Sequence, residues 1–261
     1  MVPLNKQAIA ESFGRAAASY DSASHLQQAV AAEVMTLIPG RCQPDRVLDL
    51  GCGTGVHTDE LQRRYPDAWV LGCDLAQGML AHARAGYPGP SWCGGDAERL
   101  PLKADALDLV FSSLAIQWCE RFLTVLDEVY RALRPGGVFV FSTLCEGTLQ
   151  ELRMAWQAVD RFSHVNDYPP LHRLQSDAEA SRFRVERLQQ VPHCVHYGRV
   201  VQLNRELIAL GANTLTGERR KGLMTPSRLK ALQAGYEPFR DEQHRLPATY
   251  QVVFGVLIKE A

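Results

Sequence analysis

Between residues 46 and 144 the chain alternates short apolar or β-branched runs with helical patterns, and this alternation limits the fold more than any other feature. The runs are RVLDL (46–50), AWVLGCD (68–74), SWCGGD (91–96), ALDLVFSSL (106–114) and GVFVFSTL (137–144), each of strand length and composition. The clearest helix between them covers 121–133. There Phe122, Leu123, Val125, Leu126, Val129, Tyr130 and Leu133 recur at helical spacing until Pro135-Gly136-Gly137 stops the run. Parallel neighbours need a crossover connection, so alternation this dense predicts an α/β fold: a mainly parallel sheet with helices on both faces.

The flanks are read more coarsely. Residues 1–40 predict two helices, the first carrying Ile9, Phe13, Ala16 and Ala17 on one face. After Leu144, helices are expected over 148–162, 203–210 and 227–234, strand-like pieces over 183–197, and a final strand TYQVVFGVLIKE over 249–260. Pro169-Pro170 marks a loop, and a small lid inserted over about 149–180 is compatible with the pattern. At 261 residues the chain reads as one domain, with a helical cover (1–40), a ligand-binding core (45–145) and closing elements (146–261).

Composition narrows the function. Hydrophobic residues make up 46% and charged residues 22%, ordinary for a globular protein. No apolar run reaches the ~20 residues of a membrane helix. Lys6, Glu11 and Arg15 interrupt the N-terminus before a signal peptide can develop, so a cytoplasmic protein without a membrane partner is expected. Seven cysteines without C-x-x-C pairs read as reduced structural thiols. A net charge of −1 gives no drive toward nucleic acid. His193 and His196 fall on opposite faces of a strand and are not read as ligands, so no metal is expected.

The first strand runs directly into the loop of VLDLGCGTG (47–55), and a loop at the carboxyl end of the first strand of such a sheet is where a ligand binds. Gly51, Gly53 and Gly55 let a ligand lie against bare main chain, and Asp74 ends the next strand 25 residues after Asp49. A dinucleotide or another adenosine-bearing cofactor would suit this geometry. The dinucleotide pattern G-x-G-x-x-G wants its third glycine at 56, which is Val56, and Asp49 would repel a pyrophosphate. An acid there suits a ligand with an ammonium and a sulfonium.

VLDLGCGTG resembles the first motif of class I S-adenosylmethionine-dependent methyltransferases. GGDAERLP (94–101), LDLVFSSLAIQW (107–118) and LRPGGVFVFST (133–143) resemble the later motifs in order. The resemblance implies a Rossmann-like sheet whose last strand is antiparallel, and S-adenosylmethionine as cofactor. It also implies that Asp74 binds both ribose hydroxyls, that Asp96 takes the adenine amino group and Ala97 offers its backbone, and that Asp49, Gly51, Gly53, Gly55, Leu75, Met79 and Ser113 complete the site. The flanks NKQAIAESFGRAAASYD (5–21), GANTLTGERRKGLMTPSRL (211–229) and LPATYQVVFGVLIKE (246–260) resemble the malonyl-acyl-carrier-protein O-methyltransferases of biotin synthesis. A carbon methyltransferase of a quinone precursor, or an O-methyltransferase of another small acid, shares the same core motifs.

Methylation of a malonyl carboxylate implies simple chemistry. With a pKa of about 4 the acceptor is ionised at neutral pH, so no general base is needed, and a dry, well-oriented site supplies most of the acceleration. The carboxylate needs an orienting donor, and an arginine fork would serve: Arg15, Arg219 or Arg220. Tyr20, Gln117 and Trp118 are placed around the methyl group. An acidic carrier protein would dock on a basic patch over 219–230, supplied by Arg219, Arg220, Lys221, Arg228 and Lys230, or else on RFRVER (182–187).

Overall fold

The computed structural model describes residues 4–212 and 225–261. Its central sheet has seven strands: β1 (Arg46–Leu50), β2 (Trp69–Asp74), β3 (Ser91–Gly94), β4 (Leu107–Ser113), β5 (Leu133–Leu144), β6 (Arg184–Tyr197) and β7 (Leu246–Ile258), in the order β3-β2-β1-β4-β5-β7-β6. The first five are parallel, and β7 runs antiparallel to both β5 and β6. The predicted α/β class and the antiparallel final strand are both borne out. The direction of winding reverses between β1 and β4, so the loop after β1 opens into the crevice where such sheets bind ligands.

The described helices are α1 (Lys6–Ala23), α2 (His25–Thr36), α3 (Val56–Arg64), α4 (Gln77–Gly86), α5 (Phe122–Ala132), α6 (Gln150–Gln157), α7 (Leu171–Ala180), α8 (Val200–Ala209) and α9 (Pro226–Tyr236). Alternation along the strands feeds a core on each side. Val47, Leu109 and Phe111 join Leu26, Val30 and Val34 of α2 and Leu152 and Trp156 of α6. Leu48, Leu50 and Val110 join Leu126 and Val129 of α5 and Ala178 of α7. No helix among the described residues is long and apolar enough to cross a membrane.

Several boundaries differ from expectation, among them α6, which ends at Gln157 and not at 162, and β7, which begins at Leu246 and not at 249; two bear on the site. β5 begins at Leu133, because Leu133 pairs with Leu107 and Gly136 donates to the Lys259 carbonyl at 2.7 Å. β3 stops at Gly94, where Gly95 N–H bonds Asp74 O and the chain turns through Asp96, whose carbonyl accepts from Arg99 N–H at 2.9 Å. The cover helix α1 crosses α4 at a glycine pair: a Cβ on Gly78 would lie 2.5 Å from Gly14 O. This near-contact sets α1 across the mouth of the crevice.

Candidate active site

The loop after β1 is held by the next strand. Gly51 and Cys52 donate to Cys73 O at 2.8 and 3.1 Å, and Gly53 N–H donates to Asp74 Oδ2 at 2.9 Å, while Ala76 N–H takes Asp74 Oδ1 at 2.7 Å. Each oxygen of Asp74 keeps a further lone pair for a ligand hydroxyl. Burial pushes the Asp74 carboxyl up, and the backbone N–H groups of Ala76, Gly53 and Leu75 oppose that shift. Gly53 has nothing within 4 Å of where a Cβ would be, so ligand can lie on its backbone.

Around this loop lies a cavity of about 120 Å³. Of the ten residues assigned to the cofactor, Gly51, Gly53, Asp74, Leu75, Met79, Asp96, Ala97 and Ser113 line it. Asp49 and Gly55 do not. Asp49 is only 2% exposed and lies beneath the loop, its Oδ2 accepting from Thr58 Oγ1 at 2.6 Å, and burial pushes its pKa up to about 6 against that hydrogen bond. It sits on the Val47 side of β1 and faces α3, so it acts on the site only through the field of its charge. At Gly55 a Cβ would meet the Trp92 ring at 2.6 Å, which makes that glycine a packing requirement of α3 against the sheet.

Several functional side chains carry no local signal in the sequence. Lys6, in the first turn of α1, puts its Nζ 2.6 Å from Asp96 Oδ2 and 2.5 Å from Glu98 Oε2. Burial works against the ammonium, but the two carboxylates outweigh it and hold the Lys6 pKa above its ordinary value. Asp21, near the other end of α1, accepts from Thr54 Oγ1 of the glycine loop at 2.6 Å. The cover helix is thus tied to both ends of the cavity.

A second cavity of about 70 Å³ adjoins the first, and Phe13, Tyr20, Leu114 and Trp118 line both. The Trp118 ring meets Phe13 edge-on at 5.3 Å. Leu114 holds a left-handed φ of 46°, fixed by bonds from its N–H to Ser142 Oγ and O, and so turns the chain out of β4 between the two spaces. Burial pushes the Tyr20 hydroxyl well above its usual range, with Asp74 and Asp21 adding to the shift. Gln117 lines only the second cavity and donates from Nε2 to Leu114 O at 2.5 Å. The loop between α6 and α7 brings His164, Val165, Asn166 and Tyr168 to the same wall.

The basic candidates fare differently. Arg15 is exposed and lines neither cavity, so it does not orient an acceptor there. Arg219, Arg220 and Lys221 lie outside the described residues. Arg228 is no part of a free surface: its guanidinium pairs with Asp160, their side chains 16% and 10% exposed, and sits 5.5 Å over the Trp156 ring. In 182–187, Arg184 pairs with Glu186 and Glu260, Arg187 bonds Gln189, and Arg182 stacks on Tyr130. His193 faces Glu33 and His196 faces Asp241, and no group suited to a metal occurs among the described residues.

The comparisons agree with this geometry. The family described as Methyltransferase domain matches residues 48–141. A malonyl-acyl-carrier-protein O-methyltransferase of Serratia marcescens is 42% identical over 98% of this chain and 97% of its own length. A biotin biosynthesis bifunctional protein BioHC of Cellvibrio japonicus is 40% identical over 98% of this chain, which spans 51% of that longer protein. Among solved structures, an S-adenosylmethionine-dependent methyltransferase of Mesorhizobium loti superposes with a TM-score of 0.52 at 21% identity, covering 87% of this chain and 96% of that one, a likeness of fold alone. With the glycine loop, the Asp74 cradle and near-full-length identity in agreement, this chain belongs to the malonyl-acyl-carrier-protein O-methyltransferase family.

Proposed function

We propose that the chain transfers a methyl group from S-adenosylmethionine to the free carboxylate of a malonyl thioester on an acyl carrier protein, the ester that opens biotin synthesis. The observation that carries this reading is the pair of adjoining cavities lined in common by Phe13, Tyr20, Leu114 and Trp118. The bare backbone of Gly53 and the free lone pairs of Asp74 suit the adenosyl donor on one side. S-adenosylmethionine, when bound, supplies a methyl group on a sulfonium.

The chain's own residues then have little chemistry to perform. An oxygen–carbon bond forms from the carboxylate as the sulfur–carbon bond breaks, its electron pair leaves on sulfur, and no proton moves. Tyr20 Oη and Trp118 Nε1 have no hydrogen-bond partner among the described residues, and these two donors on the shared wall hold the oxygen that does not attack. Phe13 and Leu114 keep water from the anion and the sulfonium, whose charges cancel in the transition state. A carbon methyltransferase would need a base here. Of the four described residues that line both cavities only Tyr20 is ionisable, and its hydroxyl is pushed far out of range for the task.

Docking of an acidic carrier on 219–230 belongs to the same proposal, with Arg228 removed because Asp160 holds it and with Lys230 exposed. The test is methyl transfer in parallel to malonyl-carrier, malonyl-coenzyme A and trans-aconitate. Product from the carrier thioester supports the reading, and product from trans-aconitate alone overturns it.

A further inference from the structure

The second cavity has a polar lining of its own, in which Gln27, Gln117 and His164 stand beside Asn166, Tyr168 and Tyr250. The donors Tyr20 Oη and Trp118 Nε1 lie on the wall common to both. The residues that line only the second cavity include Gln27 and Gln117, and each has a buried Oε1 without a hydrogen-bond partner among the described residues. The Gln117 amide cannot be turned to remove the problem, since its Nε2 is committed to Leu114 O at 2.5 Å. His164 lies on the same wall. Its Nε2 bonds Asp160 Oδ1 at 2.9 Å, Asp160 in turn holds Arg228, and Trp156 stacks on the ring at 3.7 Å.

A buried carbonyl oxygen without a donor costs free energy, so two of them beside a cavity describe what enters it. A carboxylate would meet repulsion from these acceptors. A hydrocarbon chain would leave them unpaired. A chain that carries N–H groups would satisfy them.

We propose that the second cavity is a subsite for the amide-bearing thiol arm on which the acyl group is carried, and that Gln27 and Gln117 determine specificity by accepting hydrogen bonds from its amide N–H groups. This rests on the acceptor reading above and adds to it: the enzyme selects the arm as well as the malonyl group. His164, pinned through Asp160, lines the same cavity. Small free diacids, which lack amides, gain nothing from it.

The test compares the malonyl thioester of pantetheine, which has two amides, with the malonyl thioester of an alkyl thiol of equal length. The proteins are the wild-type chain and the near-isosteric variants Gln27→Met and Gln117→Met, with S-adenosylhomocysteine binding as the check on folding. In the wild type, the KM for the alkyl thioester is expected to exceed that for the pantetheine thioester by about tenfold or more. Each variant is expected to close part of that gap by weakening the pantetheine thioester alone. Equal KM values in the wild type, or variants that weaken both thioesters by the same factor, overturn the subsite. Methylation of neither thioester by the wild type would sink the acceptor assignment itself, and this inference with it.

Discussion

Lys6 Nζ lies 2.6 Å from Asp96 Oδ2, ninety residues away in sequence, and this ion pair fastens the cover helix to the loop after β3. Asp96 is the residue that the family resemblance assigns to the adenine amino group, and its Oδ1 is engaged by Glu98 N–H at 3.0 Å. Lys6 therefore neutralises one of two adjacent carboxylates at the donor site while it keeps α1 closed. Lys6 and Asp96 side chains are 25% and 32% exposed, so each pair is worth only a few tenths of a kcal/mol to ~1 kcal/mol. Lys6→Met is expected to raise the dissociation constant for S-adenosylhomocysteine roughly two- to tenfold, as titration calorimetry would read. A tighter complex in the variant would mean that Lys6 competes with the ligand instead of closing over it.

The loop glycines separate folding from binding. At Gly51 a Cβ would stand 2.2 Å from the Ala115 Cβ with φ at +76°, so Gly51→Ala forces backbone or neighbour to move. A loss of about 2 kcal/mol or more in unfolding free energy is expected. Gly53 has a φ of +54° and open space around it, so Gly53→Ala carries only the left-handed strain, roughly 1–2 kcal/mol. Its methyl group would instead occupy ligand space. Denaturant melts and donor binding on both variants would check this: Gly51→Ala should lose mainly stability, Gly53→Ala mainly affinity.

The same contrast explains what was legible in the sequence. A strand, a glycine run and an acid closing the next strand are local patterns, and they suffice to point to Gly51, Gly53 and Asp74, which line the cavity. Asp49 does not line the cavity: period-two alternation puts it on the same face as Val47 and hence under the loop. The salt bridge of Lys6, the Asp21–Thr54 bond and the Asp160–Arg228 pair join residues 90, 33 and 68 positions apart. Only packing creates such contacts, so no spacing rule reports them. The arginines at 219 and 220 lie outside the described residues.

Asp49 makes a prediction in pH. Its pKa of about 6 in the fold lies above the ordinary carboxylate value of 3.8, so the folded state binds the proton more tightly than the unfolded chain does. The stabilisation this gives is fully present below pH 3.8 and is lost as pH rises through 6, a penalty of roughly 2–3 kcal/mol at neutral pH. Asp49→Asn keeps an acceptor for Thr58 and removes the charge. Without ligand, the variant is expected to gain stability relative to wild type as pH rises from 4 to 7, read as a widening difference in Tm. Donor affinity should fall, because the buried anion favours a cationic ligand. A Tm difference that does not change with pH would show that Asp49 is not held protonated by its burial.

Arg228 decides between docking and structure. Its guanidinium and the Asp160 carboxylate are nearly buried against Trp156, and His164 and Arg228 help hold the Asp160 carboxyl below its usual range against the opposing effect of burial. Removing one partner strands the other charge, so Arg228→Met is expected to cost about 3 kcal/mol or more in unfolding free energy. Asp160→Asn in the same chain should recover much of that loss, since no buried charge then lacks a partner. A docking residue would behave otherwise: stability would hold, the KM for malonyl-carrier would rise while that for malonyl-pantetheine stayed constant, and added salt would reproduce the effect in the wild type. That second pattern would return Arg228 to the carrier surface and remove it from the support of His164.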